Sequence, residues 1–350
     1  MLNVGIIGAS GYAGEELIDI LLRHPEVRIN YLAAKLGKSQ LITKIFPRFE
    51  GRTTLICNKE VDLREVCTKC DLVFLALPHT VSMVFVPKLL SAGKRVIDLS
   101  ADYRLKDASV YEKFYGVTHK DKAYLKEAIY GLPEIYRNRI KPAKLIANPG
   151  CYPTVSLLAL APLLAFSLIE PGSIIIDAKS GVTGAGRKAA LEFFFSEINE
   201  DFWAYKVNTH QHMPEINQEL SLLADKKIAV TFVPHLLPVN RGILVSIYAE
   251  KSHKVTLRLR SGQAKTQGQK LVDIYKKFYK NEPFVRIKEE KEFPKLKDVR
   301  GTNFCDIGIQ DGKDKIIVIA CIDNLLKGAS GQAVQNMNIM YNFPEYTALL

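Results

Sequence analysis

Residues 2–7 (LNVGII) form an almost unbroken apolar run, and three glycines follow at once in Gly8-Ala-Ser-Gly11-Tyr-Ala-Gly14. A short run without polar alternation reads as a strand buried on both faces. Residues 15–23 then carry Leu17, Ile18, Ile20, Leu21 and Leu22 on one helical face. Strand, glycine loop and helix in direct succession constrain the chain strongly. Such a unit belongs to a parallel sheet with helical crossovers, and its glycines let a phosphate approach the backbone N–H groups. Gly8, Ser10, Gly11, Tyr12 and Gly14 are therefore candidate contacts to a dinucleotide. The spacing is GxxGxxG rather than GxGxxG, so the position at the first strand carries the inference.

Similar units follow. Residues 27–34, 71–77, 95–99 and 144–147 read as strands, with a helix expected over 80–90. Alternating strands and helices imply right-handed crossovers, with ligands gathered at the carboxyl ends of the strands. Gly8, Pro78, His79, Ser100 and Cys151 all lie just past such ends. The second strand ends without the carboxylate that binds the ribose hydroxyl of NAD. Lys35, Lys38 and Ser39 stand there instead. Two cations and a hydroxyl suit a 2′-phosphate, so the cofactor expected is NADP.

The segment ANPGCYPT (147–154) puts Cys151 at a sharp turn before an apolar run, residues 155–166. Pro153 and Thr154 suit the first turn of a helix. A thiol there meets unpaired backbone N–H groups and the positive end of the helix dipole, which favour the thiolate. The plainer alternative is a small apolar residue at a strand–helix junction. The six cysteines show no disulfide pattern, and Cys67 and Cys70 form a lone CxxC without nearby ligands, so no metal is expected. The net charge of +11 is scattered rather than blocked with aromatics. That argues for anionic small molecules and against nucleic acid. No run approaches a membrane span, and the chain opens directly on a strand, so a cytoplasmic location is expected.

In the second half, residues 174–179 read as a strand ending in SGVTGAGR, a candidate anion loop with Gly184 and Arg187. His210 and His212 stand two apart, expected in extended chain and so on one side. A histidine near a thiolate can shuttle protons. A helix is expected from Pro214 to about Ala224. Strands over 228–233, 243–249, 284–287, 305–309 and 316–321 come with few helices between them, implying a mixed sheet. Residues 325–341 read as one long helix after Asp323-Asn324.

Together these segments resemble the N-acetyl-gamma-glutamyl-phosphate reductase family of arginine biosynthesis, related to aspartate-semialdehyde dehydrogenases. The resemblance rests on GIIGASGYAGEEL (5–17), DLVFLALPH (71–79), DLSADYRL (98–105), YGLPEIYR (130–137), ANPGCYPT, KSGVTGAGR (179–187), HQHMPEI (210–216), VPHLLPVNRGI (233–243) and DNLLKGASGQAVQN (323–336). It implies an α/β chain with two domains. One is a Rossmann-type NADP-binding domain, residues 1–150 with about 323–350. The other is a glyceraldehyde-phosphate-dehydrogenase-like α+β domain with a mixed sheet, residues 151–322, for catalysis and oligomerisation. The resemblance implies attack of Cys151 on an acyl phosphate and reduction of the resulting thioester by NADPH. His212 is implied as acid/base, with His210 contacting substrate. Arg104, Arg187, Arg241 and Asn148 are implied as substrate contacts, and Gly184 and Asn324 as cofactor contacts. A homodimer or homotetramer is implied. Residues 256–268, with Arg258, Arg260 and Lys265, are longer than the family pattern and are expected to be a mobile, dispensable surface loop. Two alternatives stand beside this reading: a paralogous reductase of carrier-linked substrates, and a non-catalytic NADP-binding protein.

Overall fold

The computed structural model describes residues 1–187, 189–252 and 267–350. Most of the expected insert, with Arg258, Arg260 and Lys265, lies outside the described residues, as does His253. The chain divides into two units, residues 1–150 with 329–350 and residues 151–328.

The first unit carries eight strands: β1 (Leu2–Ile7), β2 (Val27–Ala33), β3 (Gln40–Leu41), β4 (Ile56–Asn58), β5 (Leu72–Leu75), β6 (Arg95–Asp98), β7 (Ile129–Tyr130) and β8 (Leu145–Ala147). Their order is β3-β4-β2-β1-β5-β6-β8-β7. Every pair is parallel except β3–β4. The order reverses around β1, so the glycine loop sits at the switch point where such sheets bind ligands. Cys70 of the lone CxxC is buried behind this sheet, and its sulfur would lie 2.9 Å from a Cβ placed on Gly5. Burial pushes that thiol up to about 12.

The helix after the loop spans Tyr12–Leu21, starting three residues earlier than the expected 15–23. Gly11 is its extended cap, which leaves Gly14 inside the first turn. Gly8 has φ 96°, and a Cβ on it would lie 2.1 Å from the Ala76 carbonyl oxygen. A Cβ on Gly14 would lie 2.4 Å from the Gly8 oxygen. The glycines are thus required by how closely strand, loop and helix approach one another.

The helix expected over 80–90 is broken into a tight turn at Ser82–Val84 and a helix at Val86–Ser91. The cause is Asp102. Its buried carboxylate accepts the Thr80 N–H at 2.6 Å, the Met83 N–H at 3.1 Å and the Tyr111 hydroxyl at 2.7 Å. This captures donors that a continuous helix would need, and holds Thr80 at φ 73°. Nearby, Ser100 donates its N–H and hydroxyl to Asp98 at 3.0 and 2.8 Å. Asp98 is fully buried, and that burial, aided by the Asp102 charge, pushes its carboxyl up to about 7.

The second unit carries β9 (Ile175–Gly181), β10 (Trp203–Ala204), β11 (Thr231–Leu237), β12 (Ile243–Glu250), β13 (Val285–Ile287), β14 (Cys305–Asp311) and β15 (Lys315–Ile322). The order is β10-β11-β9-β12-β15-β14-β13. β9–β11 and β13–β14 are parallel and the other pairs antiparallel, so the sheet is mixed as expected. β11 begins three residues later than the expected 228–233. Residues 228 and 230 are tied to the preceding helix, Met213–Ala224, by Ile228 N–H to Ser221 Oγ and Val230 N–H to Asn217 Oδ1.

The helix Cys151–Ala165 lies at the centre of this unit, with every residue from Tyr152 to Leu164 buried. An apolar helix with no polar face has nowhere else to go. Pro162 interrupts it and cannot donate to the Leu158 carbonyl. The Tyr279 hydroxyl donates to that carbonyl instead, at 2.6 Å, and the Tyr275 hydroxyl to Ala159 at 2.6 Å. The helix expected over 325–341 opens as a wide π-type turn, Leu326–Ser330, before the regular Gly331–Met340. Asp323 takes the Leu325 and Leu326 N–H groups at 2.9 and 3.2 Å, and its carbonyl takes that of Gly328. Residues 323–328 accordingly belong to the second unit, whereas the sequence placed them with the first.

Tyr279→Phe should cost about 1–3 kcal/mol in urea unfolding, because it strands a buried carbonyl. In a Pro162→Ala background the helix supplies that carbonyl's donor and the cost should shrink; equal cost in both backgrounds would refute the account. A second expectation concerns pH. A carboxyl near 7 in the fold and near 3.9 unfolded stabilises fully below about pH 4 and loses that contribution as pH rises through about 7. Unfolding free energies measured from pH 4 to 8 should therefore fall less steeply in Asp98→Asn than in the parent chain.

Candidate active site

Cys151 is the first residue of its helix, half-buried, four residues beyond the end of β8. A wide turn runs directly against it. A Cβ on Gly328 would lie 2.8 Å from the Cys151 Cβ and 3.3 Å from its Cα, so only glycine fits. Beside Gly328, Lys327 is completely buried, its Nζ 5.7 Å from the centre of the Phe284 ring. Sequence reasoning passed over Lys327; a lysine between buried apolar residues and a glycine was the available signal.

The next residue, Tyr152, gathers the histidines. Its ring meets His210 edge-on at 5.4 Å and His212 at 5.9 Å, and the two imidazoles are 4.9 Å apart. The Tyr152 and Tyr205 hydroxyls are 3.0 Å apart. Burial keeps both phenols protonated, raising Tyr152 far above its ordinary value and pushing Tyr205 up to about 12. Neither tyrosine was singled out from the sequence. The histidines are adjacent for a different reason than the one expected. Residues 210–212 are a turn, not extended chain: the His212 N–H donates to His210 Nδ1 at 3.0 Å, and the Met213 N–H to the His210 carbonyl at 2.9 Å. His210 is nearly buried and spends its Nδ1 lone pair on this turn. His212 caps the following helix and is less enclosed.

The loop after β9 is knotted to two others. Val182 and Thr183 donate their N–H groups to Val239 and Asn240 carbonyls. A Cβ on Gly181 would lie 2.7 Å from the Val239 oxygen. Asn324 spends both ends of its amide here, donating to Thr183 Oγ1 at 3.0 Å and accepting the Gly242 N–H at 2.7 Å. These bonds frame the second unit, at a residue the resemblance implies as a cofactor contact. Arg241 pairs with buried Asp323 at 3.0 Å, and the Gly301 N–H joins the same carboxylate. Arg187 is exposed beyond Gly184 on this loop.

In the first unit Arg104 and Asn148 turn toward the protein rather than outward. Arg104 is buried and donates to the Asn148 and Leu99 carbonyls, both at 2.7 Å. These oxygens lie past the ends of β6 and β8, where the ladder no longer supplies donors. Asn148 donates to the Ala329 carbonyl and accepts from Asn336, both at 3.1 Å. Ser100 is likewise buried in the Asp98 network. His79 is exposed and accepts the Ala101 N–H at 3.1 Å, next to exposed Pro78. Lys35 and Lys38 are exposed past the end of β2, and Ser39 Oγ accepts the Lys59 N–H. The glycine loop, the absence of a carboxylate at the end of β2 and these two lysines fit a phosphorylated dinucleotide.

Comparison with known proteins follows the same division. Residues 3–143 match the family model described as semialdehyde dehydrogenase, NAD binding domain. Residues 151–324 match semialdehyde dehydrogenase, dimerisation domain. N-acetyl-gamma-glutamyl-phosphate reductase of Geotalea daltonii is 49% identical over 352 aligned residues, covering 100% of this chain and 98% of that one. The same-named protein of Desulfotalea psychrophila is 47% identical, with 100% and 98% covered. Among solved structures, aspartate semialdehyde dehydrogenase II of Vibrio cholerae, complexed with ASA, aligns with a TM-score of 0.70 at 18% identity, covering 98% of each chain. The Candida albicans aspartate semialdehyde dehydrogenase with NADP aligns at 0.68 and 15% identity, covering 97% of this chain and 98% of that one. The structural likeness carries the fold, and full-length identity to the reductases carries the rest: the chain belongs to the N-acetyl-gamma-glutamyl-phosphate reductase family.

Proposed function

We propose that the chain reduces N-acetyl-L-glutamyl 5-phosphate to N-acetyl-L-glutamate 5-semialdehyde and phosphate, with Cys151 as nucleophile. The observation that carries this reading is a half-buried thiol opening a fixed helix, next to a tyrosine that holds two histidines. The Cys151 sulfur attacks the acyl carbon, the carbon–oxygen bond to phosphate breaks, and a thioester remains. NADPH, once bound, supplies the hydride for the reduction. His212 holds the proton exchanged with the substrate oxygen as the tetrahedral species collapses and the thiolate is regenerated. His210 is less suited to that task because its Nδ1 is committed to the turn. Arg187, exposed on the loop after β9, is the arginine assigned to the phosphate. Arg241 is assigned to the substrate's other carboxylate through the side of its guanidinium not facing Asp323. Arg104 and Asn148 serve by bracing the turn ahead of Cys151.

Gly8, Ser10, Gly11, Tyr12 and Gly14 would hold the pyrophosphate, Lys35, Lys38 and Ser39 the 2′-phosphate, and Pro78 and His79 the remainder of the dinucleotide. The protein works as a homo-oligomer on a small anionic substrate. No helix among the described residues is long and apolar enough to cross a membrane, and the cytoplasm is the compartment assigned.

Activity is read as phosphate-dependent reduction of NADP by the semialdehyde. Cys151→Ala should lower it on the order of 10³-fold or more with the fold intact; full activity would overturn the mechanism. His212→Asn should lower kcat about 10²–10⁴-fold and flatten its pH profile, with a smaller effect from His210→Asn. Reversing the charge of Lys35 and Lys38 should raise KM for NADPH at least about tenfold and leave NADH nearly unaffected. Equal efficiency with NADH in the parent chain would refute the 2′-phosphate assignment.

A further inference from the structure

Thr80 is a β-branched residue held at φ 73°, in the left-handed region that favours glycine. Such a conformation persists only where its surroundings enforce it, and it concentrates at functional sites. The next residue, Val81, is right-handed at φ −105° and ψ −36°. A left-handed residue beside a right-handed one turns successive N–H groups into a concavity that suits an anion. Here the anion belongs to the chain itself. Asp102 is fully buried, with one carboxylate oxygen on the Thr80 N–H at 2.6 Å and the other on the Met83 N–H at 3.1 Å. The loop thus gives these N–H groups to an internal carboxylate rather than to a phosphate, and the strain at Thr80 serves its neighbours.

Those neighbours are tied to the same aspartate. Its own backbone is fixed: the Asp102 N–H donates to Ser100 Oγ at 3.1 Å, and its carbonyl lies 2.6 Å from His119 Nε2. His119 Nδ1 accepts the Asp121 N–H, so Nε2 is the donor to that carbonyl. The carboxylate also accepts the Tyr111 hydroxyl at 2.7 Å. The Tyr111 ring stacks on Tyr115 at 4.7 Å, and Tyr115 meets His79 edge-on at 5.2 Å. From the other side, His79 Nδ1 accepts the N–H of Ala101, the residue before Asp102, at 3.1 Å. One residue therefore sets Thr80 directly and reaches the exposed His79 ring along two routes.

We propose that Asp102 is a positioning residue for the dinucleotide, holding the Pro78-His79-Thr80 corner past β5 in the strained form that receives the cofactor. The inference rests on the assignment of Pro78 and His79 to the dinucleotide. Without the carboxylate, Thr80 relaxes toward negative φ and the corner leaves its receptive shape. Apparent affinity then falls with the fraction of molecules that keep the corner in place.

The test is fluorescence titration of NADPH into the full-length protein. Asp102→Asn should raise the Kd at least about tenfold and leave the KM for the semialdehyde within about twofold of the parent. Adding Thr80→Gly, which adopts positive φ without a steric cost, should recover at least about threefold of that loss. A merely structural aspartate would show no such recovery of affinity. Tyr111→Phe removes one bond to the carboxylate and keeps the ring stack, so it serves if Asp102→Asn does not fold; its Kd should rise at least about twofold. Unchanged affinity in the folded variants, or a loss that Thr80→Gly does not recover, would overturn the proposal. His79→Ala separates the two readings. Unchanged affinity there would overturn the assignment of this corner to the cofactor. A weakened His79→Ala beside an unaffected Asp102→Asn would overturn only the role of Asp102.

Discussion

A helix buried on every side holds its first residue as firmly as its middle. That constraint organises the second unit. The apolar stretch beginning at Cys151 fills the centre of that unit, and at Pro162 two tyrosine hydroxyls donate to carbonyls of the preceding turn. Cys151 is therefore set by packing that extends well beyond the site. The turn at Gly328, which leaves no room for a Cβ against the cysteine, reinforces this from the opposite direction. The thiol proposed as nucleophile needs no dedicated scaffold, because the hydrophobic core is the scaffold.

The strand ends of the first unit are fixed by different means. Three buried side chains, Asp98, Asp102 and Arg104, take up backbone donors and acceptors that the sheet ladder leaves unused. Such groups are costly to bury unless satisfied, and each is satisfied by main chain of the neighbouring loop. The result is a rim of loops held by charge-assisted hydrogen bonds. It explains why DLSADYR reads as a functional motif although most of its polar atoms face inward.

Much of this was legible in the chain. Period and glycine spacing located the parallel sheet, the switch point and the cysteine turn, because each follows from local sterics. The run of poorly separated strands implied the mixed sheet. What could not be read depended on partners far away in sequence. The break at Thr80 is dictated by Asp102; the late start of β11 by Asn217 and Ser221; the wide turn at 326–330 by Asp323 and Cys151. The inward hydrogen bonds of Arg104 and Asn148 and those of the Asn324 amide belong to the same class: the resemblance implied ligand contacts, and the fold adds partners on other loops. The proximity of His210 and His212 was anticipated, but through a strand geometry where the chain forms a turn.

The first unit is assembled from both ends of the chain, and this bears on its birth as well as its shape. Every residue of Gly331–Met340 is buried, in a unit whose sheet lies wholly within the first 150 residues. During synthesis those first 150 residues emerge well before the helix that completes them. At about 5–20 residues per second the delay is roughly ten to forty seconds. For that interval the nascent sheet carries an uncovered apolar surface on the ribosome, while the second unit, continuous in sequence, can close first.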